Sequence, residues 1–286
     1  MCPTTRSIVN SPRFEVWGAP IRHSKSPALH KAAYAALNLD WDYRASHVDS
    51  EELARHFHTL GPEVGGLSLT MPLKEGILEL VSDHRGPVDL LHAANTAVRD
   101  PDGGWWLDNT DWWGAWKTLE QFGGVDGQRV WLLGAGATAR AVLYALAQGA
   151  PESVTLVVRS AERAQVTAVL GSTLGLHTEV ALFDDLPDEA PHWVISTLPG
   201  GVIPEAEGLE RVSHSAHLFD IAYDPWPSAL AQLWSGSDNH VVSGLPMLAY
   251  QALAQVRAFV GGSSTQPLAG ETEVFEAMRK AVGLHD

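Results

Sequence analysis

Val130-Trp131-Leu132-Leu133-Gly134-Ala135-Gly136-Ala137-Thr138-Ala139-Arg140 decides the fold of this 286-residue chain. An apolar run, a G-x-G-x-x-A turn and a helical stretch reaching about Gln148 read as strand, nucleotide loop and helix. Gly134 permits the tight turn. Gly136 lets a pyrophosphate approach the backbone, and the small Ala139 lets helix and strand pack closely. Alone the loop is a weak signal, because any α/β protein can use small residues between strand and helix. Two neighbouring features strengthen it. After the break at Gly149-Ala150-Pro151, the run Ser153-Val154-Thr155-Leu156-Val157-Val158 supplies a second strand and completes a βαβ unit. That strand ends in Arg159-Ser160, with Arg163 one helical turn on. An NAD site usually places Asp or Glu here for the ribose hydroxyls, whereas Arg suits the 2′-phosphate of NADP. In isolation Arg159 and Arg163 would be ordinary solvated charges; after a complete βαβ unit the phosphate reading is the better one.

Most of the polar motifs lie before the loop, in an arrangement of substrate half followed by cofactor half. Phe14-Glu15-Val16-Trp17 reads as a short strand. Ser26 before Pro27 predicts an N-cap with proline at the first helical position, opening a helix to about Leu37. Asp49 with Glu52 predicts a capping box for a second helix to about Leu60. Gly65 to Thr70 is a strand that stops at Met71-Pro72, where a helix containing Lys74 begins. Ala94–Arg99 and Gly104–Leu107 pair as a hairpin across Pro101-Asp102-Gly103. Asp108-Asn109-Thr110-Asp111 leads into an amphipathic helix that bridges to the nucleotide half. Strands near Trp193-Val194-Ile195, His217-Leu218-Phe219 and Val241-Val242 complete a doubly wound sheet. Pro246–Val260 and Glu271–Val282 read as terminal helices.

Composition narrows the function classes. The length suits two domains. Hydrophobic content of 45% with 19% charged residues describes a soluble globular protein. No apolar stretch is long enough to span a membrane, and Met1-Cys2-Pro3-Thr4-Thr5-Arg6 lacks the apolar run of a signal peptide. The single cysteine, Cys2, excludes an intramolecular disulfide and a cysteine zinc site, so a cytoplasmic location is expected. A formal charge of −15 argues against a nucleic-acid partner and requires an anionic ligand to be held by local donors. The 13 histidines are scattered, His56-x-His58 has the wrong spacing for one helix face, and no H-E-x-x-H occurs. No metal is expected. Of the 11 tryptophans, Trp105-Trp106 and Trp112-Trp113-x-x-Trp116 cluster before the nucleotide half. Core and interdomain packing explains them better than a base-stacking platform, which would need basic surroundings.

Taken together, Ser24-Lys25-Ser26-Pro27, Thr70-Met71-Pro72-x-Lys74, Ala94-Asn95-Thr96, Asn109-Thr110-Asp111, the G-A-G-A-T-A loop, Arg159-Ser160 and Gly244-x-x-Met247-Leu248 with Gln251 resemble the shikimate dehydrogenase family. Each is weak alone, but seven in the family's order, from about residue 14 to residue 251, are very specific. The resemblance implies NADPH-dependent reduction of 3-dehydroshikimate to shikimate, in the chorismate pathway. It implies an α/β fold, with an N-terminal α/β substrate domain, a doubly wound Rossmann domain, and C-terminal helices that return to the substrate domain. The expected division is 1–110 with 245–286 for substrate and 111–244 for cofactor. A small-molecule substrate and a monomer or homodimer are expected.

The same resemblance implies that Lys74 and Asp111 are the catalytic pair. Reducing a ketone builds negative charge on its oxygen, which needs a positive donor and then a proton; an ammonium held by a carboxylate supplies both. Read without the family, Lys74 is a solvated first-turn lysine and Asp111 the N-cap of the bridging helix. Ser24 and Ser26 match carboxylate-binding serines, and a helix start assists an anion there. Thr70, Asn95 and Gln251 match positions that bind ring hydroxyls. Tyr223, in Asp220-Ile221-Ala222-Tyr223-x-Pro225, matches a residue near the substrate carboxylate. Thr197, Ile221, Gly244 and Met247 match cofactor-side positions, beside Gly134, Ala135, Gly136, Ala137, Thr138, Ala139, Arg159, Ser160 and Arg163.

Three departures stand out. Ser68-Leu69-Thr70 occupies the usual Asn-x-Thr, Val158 stands where Asn is usual, and Ile195-Ser196-Thr197 replaces Asn-Ala-Thr. None touches the proposed catalytic pair. The alternatives are a paralogue acting on quinate or aminoshikimate, and a catalytically silent regulator that binds the ligand; retention of Lys74 and Asp111 weighs against the second. A Rossmann methyltransferase is disfavoured by Arg159, where an acidic residue would hold the ribose.

Overall fold

The computed structural model describes residues 11–202 and 207–285; the expectations on Cys2 and on the stretch 1–6 fall outside them. The first half builds β1 (Arg13–Gly18), α1 (Ser26–Ala36), β2 (Asp42–His47), α2 (Leu53–His58) and β3 (Val64–Leu69). Next come α3 (Leu73–Gly76), β4 (Asp83–His84), α4 (Val88–Leu91), β5 (Thr96–Arg99) and β6 (Trp105–Asp108). These strands form one six-stranded sheet in the order β2-β1-β3-β5-β6-β4. β1 runs parallel to β2 and β3, while β5 and β6 form the expected antiparallel hairpin, with Ala97 opposite Leu107.

α5 (Asp111–Gln121) leads into β7 (Arg129–Leu133), α6 (Ala137–Leu146), β8 (Ser153–Val158), α7 (Ala161–Thr173) and β9 (Thr178–Leu182). β10 (Trp193–Ser196), α8 (Glu207–Ser213), β11 (His217–Asp220), α9 (Ala229–Gln232) and β12 (Val241–Ser243) follow. α10 (Leu245–Gly261) and α11 (Glu271–Ala281) close the described chain. The second sheet, β12-β11-β10-β7-β8-β9, is parallel throughout. Its winding reverses between β7 and β10. A crevice opens at the carboxyl ends of strands at such a switch point. Gly134 and Thr197 follow those two strand ends directly.

α5 joins the two halves, and its tryptophans explain how. Trp112 and Trp116, four residues apart on one helix face, pack against the core of the second sheet. Trp112 meets Tyr144 edge-on at 5.2 Å. Trp113, a hundred degrees round the helix, packs against the first core, with the Arg257 guanidinium 4.4 Å above its ring. α10 crosses α5 closely at Gly114, where a Cβ would come within 2.6 Å of the Met247 carbonyl oxygen. The packing expected of the tryptophans is observed.

Several local expectations are corrected. Ser26 is the first residue of α1 and not its cap: Lys25 holds the cap position, and Ser24 Oγ accepts the Ser26 amide at 3.3 Å. Asp111 likewise opens α5 behind Thr110, the capping residue. Asp49 Oδ1 accepts the amides of Glu51 and Glu52, but Glu52 turns to Arg55 at 2.6 Å, so the capping box is only half made. The helix behind it is regular only over Leu53–His58. β2 and β9 carry no hydropathy signal because each is an edge strand with most of its residues outside the core.

Candidate active site

Lys74 is presented by α3, which follows the end of β3. The missing Cβ of Gly18 leaves room for Thr70 and Met71; a methyl there would lie 2.3 Å from Thr70 Cγ2 and 2.9 Å from the Met71 carbonyl oxygen. The Leu73 amide then bonds back to the Thr70 carbonyl at 2.9 Å and starts α3. Lys74 Nζ reaches Asp111 Oδ2 at 2.6 Å, and Thr138 Oγ1 of the nucleotide loop lies 3.5 Å away. Both charged side chains are nearly enclosed, at 13% and 8% exposure. A buried pair needs its remaining acceptors satisfied. Asn95 Nδ2 does this, donating to Asp111 Oδ1 at 2.8 Å with Gln251 Oε1 at 3.1 Å. The Thr110 amide returns a bond to Asn95 Oδ1 at 2.8 Å. Lys74, Asp111, Asn95 and Gln251 therefore form one cluster drawn from α3, α5, the β5 approach and α10.

Beneath this cluster lies a polar floor that the sequence reading missed. Gln255 Nε2 donates to the Asn95 carbonyl at 2.9 Å, and its Oε1 accepts from Ser68 Oγ at 2.8 Å. Tyr43 donates its hydroxyl to Ser68 Oγ at 2.6 Å, so the short side chain at this departure from the family is met by a tyrosine from β2. His30 stacks on Tyr43 at 4.0 Å and faces Gln255 Oε1 through Nε2 at 3.3 Å. The available signal was Gln255 itself, a polar residue four after Gln251, and so on the same face, of a mostly apolar helix.

Burial pushes the His30 pKa down from 6.5 to about 3, against the smaller opposing effect of the Gln255 bond. A base depressed in the native state stabilises fully above its unfolded pKa and loses that contribution as pH falls through 6.5 towards 3. Over the two units below pH 6.5 the loss should reach about 2–3 kcal/mol. Urea unfolding at several pH values should show a steeper acid slope for the wild type than for His30→Phe, since the carboxylate contributions cancel in the difference. Parallel slopes would refute a neutral buried His30.

Ser24, Ser26 and Tyr223 gather at another edge. Ser26 is buried and Ser24 half-buried. The Tyr223 hydroxyl hydrogen-bonds the Lys25 backbone across the two halves; burial, helped by the neighbouring Asp224 charge, raises its pKa and keeps it a neutral donor. His23 Nδ1 lies 3.5 Å from Asp224 on the same rim.

A cavity of about 520 Å³ separates the halves, lined on one side by Thr70 and Lys74 and on the other by Gly134–Ala139. Arg159, Ser160, Arg163 and Thr197 line it further along. Gly134 sits at φ 102°, and a Cβ there would lie 2.6 Å from Thr197 Oγ1, so only glycine serves. Nothing approaches a Cβ at Gly136, which leaves the backbone open to a phosphate. Arg159 and Arg163 are exposed, and Ser160 caps α7 by accepting the Arg163 amide. Ile221, Gly244 and Met247 stand outside the cavity lining. Gly244 presses on Ile221, whose carbonyl oxygen would be 1.8 Å from a Cβ, and Met247 is buried in the second core. Among the described residues no group of three or more His, Cys, Asp or Glu fits a metal ion, and no helix is long and apolar enough to cross a membrane.

Residues 16–97 match the family described as the shikimate dehydrogenase substrate binding domain. The NADP(+) shikimate dehydrogenase of Methanothermobacter thermautotrophicus is 31% identical over 257 residues, covering 86% of this chain and 90% of that one. The crystal structure of Mycobacterium tuberculosis shikimate dehydrogenase superposes with a TM-score of 0.79 at 35% identity, over 95% of this chain and 98% of that one. The Thermus thermophilus enzyme in complex with NADP(H) and shikimate superposes at 0.78 and 28% identity, over 94% and 99%. The likeness runs through both sheets and the cleft between them at a level of identity that fold alone does not require: the chain belongs to the shikimate dehydrogenase family.

Proposed function

We propose that the chain reduces 3-dehydroshikimate to shikimate reversibly with NADPH, on a substrate-binding domain of residues 1–110 and 245–286 and a Rossmann domain of 111–244. The observation that carries the reading is the 2.6 Å contact of Lys74 with Asp111, 3.5 Å from the nucleotide-loop Thr138. The names of the relatives supply the substrate and the cofactor.

The cradle fits the cofactor. Gly134–Ala139 offers an open glycine turn at a helix start, and Arg159, Ser160 and Arg163 meet a 2′-phosphate at the far end of the cavity. NADPH, when bound, supplies the hydride that the carbonyl carbon accepts. Lys74 then has two tasks: its ammonium stabilises the negative charge growing on the substrate oxygen, and it passes a proton to that oxygen. Asp111 holds Nζ in place, and Asn95 holds Asp111 through the other carboxylate oxygen. The near-enclosure of both charged groups excludes water and strengthens each interaction. Ser24, Ser26 and Tyr223 offer hydroxyls to the substrate carboxylate, while Thr70, Asn95 and Gln251 meet the ring hydroxyls.

Initial rates for shikimate, quinate and aminoshikimate, each with NADP+ and NAD+, test this. Shikimate with NADP+ should give the highest kcat/KM; preferred turnover of quinate or of NAD+ would overturn the assignment. Ser24→Ala should raise KM for shikimate more than it lowers kcat, because a hydrogen bond to a charged group is worth about 1.5–3 kcal/mol. The variant should also discriminate less against an analogue without the carboxylate. Unchanged values for both quantities would make Ser24 purely structural.

A further inference from the structure

We infer that Arg140 is a positioning residue that bolts the nucleotide-binding helix to the segment carrying Lys74, and so sets the reach of Lys74 into the cleft. The inference rests on the reading of Lys74 as the proton-donating group. Arg140 is the fourth residue of α6, the helix that opens on the nucleotide loop. Its guanidinium leaves its own sheet and crosses to the other half of the molecule. Nε donates to the Leu91 carbonyl at 2.6 Å, and one terminal nitrogen donates to Glu75 Oε1 at 2.5 Å and to the His92 carbonyl at 3.3 Å. The arginine side chain is only 8% exposed. An enclosed guanidinium is costly unless its donors are met, and each of these acceptors lies in the first half of the chain.

The acceptors lead to Lys74 by two short routes. Glu75 is its neighbour in sequence. His92, in the left-handed conformation at φ 48°, ends α4 and leaves the last carbonyls free for the arginine fork. Two residues on, the Ala94 amide donates to the carbonyl of Lys74 itself at 2.8 Å. Leu91 is buried in the core of the second sheet, so the same segment is also held by apolar packing. A single side chain thus ties the Glu75 carboxylate, next to Lys74, and the Leu91 and His92 carbonyls, just before the segment bonded to the Lys74 carbonyl, to the helix whose first turn lines the cavity. The cofactor end and the proton-donating end of the cleft are fixed relative to one another.

The test compares Arg140→Gln, Arg140→Lys and Glu75→Gln with the wild type. A shift of about 1 Å in a reacting group can cost on the order of 10²-fold. Arg140→Gln should therefore lower kcat by about 10- to 100-fold, with KM for shikimate and tryptophan-fluorescence affinity for NADP+ held within about threefold. The isotope effect on kcat with shikimate deuterated at the oxidised carbon should rise as that step becomes limiting. Amides of residues 73–94 should exchange faster with deuterium. Arg140→Lys should recover part of kcat, and Glu75→Gln, which alters a carboxylate 60% exposed, should lose about threefold or more. Should Arg140→Gln fold poorly, the other two variants carry the test.

Unchanged kcat in Glu75→Gln and in a folded Arg140 variant would overturn the inference. So would a kcat loss that matches the loss of folded protein with an unchanged isotope effect. Wild-type protein without NADP-dependent shikimate oxidation would instead overturn the functional reading itself.

Discussion

Lys74→Met should lower kcat by about 10²-fold or more while shikimate affinity stays within roughly tenfold. The ammonium meets its strongest demand when negative charge develops on the substrate oxygen, so its removal is felt in the transition state more than in binding. A hundredfold loss corresponds to about 2.7 kcal/mol of transition-state stabilisation. Methionine preserves much of the apolar stem and so limits the structural disturbance. Asp111→Asn should act similarly through Lys74, because the amide keeps the shape but gives up the charge facing Nζ at 2.6 Å. Steady-state kinetics with a folding control read the effect. Near-normal turnover by Lys74→Met would remove Lys74 from the chemistry.

The second large effect is expected at the cofactor's far end. A 2′-phosphate carries close to two negative charges, and a chain of net charge −15 can hold it only with a local cluster. Arg159 and Arg163 are both exposed at the cavity wall, and the Ser160 hydroxyl keeps a proton to donate while its oxygen caps α7. NAD offers only a hydroxyl at this point. Charge-assisted bonds of about 1.5–3 kcal/mol predict a preference for NADP+ of roughly tenfold to a hundredfold. Arg159→Ala should remove most of it by raising KM for NADP+ while barely changing that for NAD+. Equal kcat/KM for the two cofactors in the unmutated protein would refute the phosphate clamp.

The nucleotide half was legible because its requirements are local. Gly134 must be glycine for a turn at φ 102°, and apolar β7 and β8 are buried nearly throughout, so both leave a pattern in the residues themselves. Lys74, Asp111, Asn95 and Gln251 were legible only through the family's motif order; spacing alone would never bring residues 74, 95, 111 and 251 together. What escaped notice depends on chain crossings. Tyr43 sits on an edge strand whose composition hides it, yet it supports Ser68 from beneath. Arg140 looked like any helical arginine, because its partners are Glu75, Leu91 and His92 on the other half of the molecule. The caps fall one residue before Ser26 and Asp111, at Lys25 and Thr110, whose side chains make no capping bond, so no capping side chain marks either boundary in the sequence.

The most direct measurement supplies purified protein with 3-dehydroshikimate and NADPH, follows the nicotinamide absorbance, and identifies the product. Loss of NADPH matched mole for mole by shikimate is expected from the Lys74–Asp111 pair beside the nucleotide loop. Binding of both ligands with no loss of NADPH would contradict it and leave the chain a silent binder of the same small molecules.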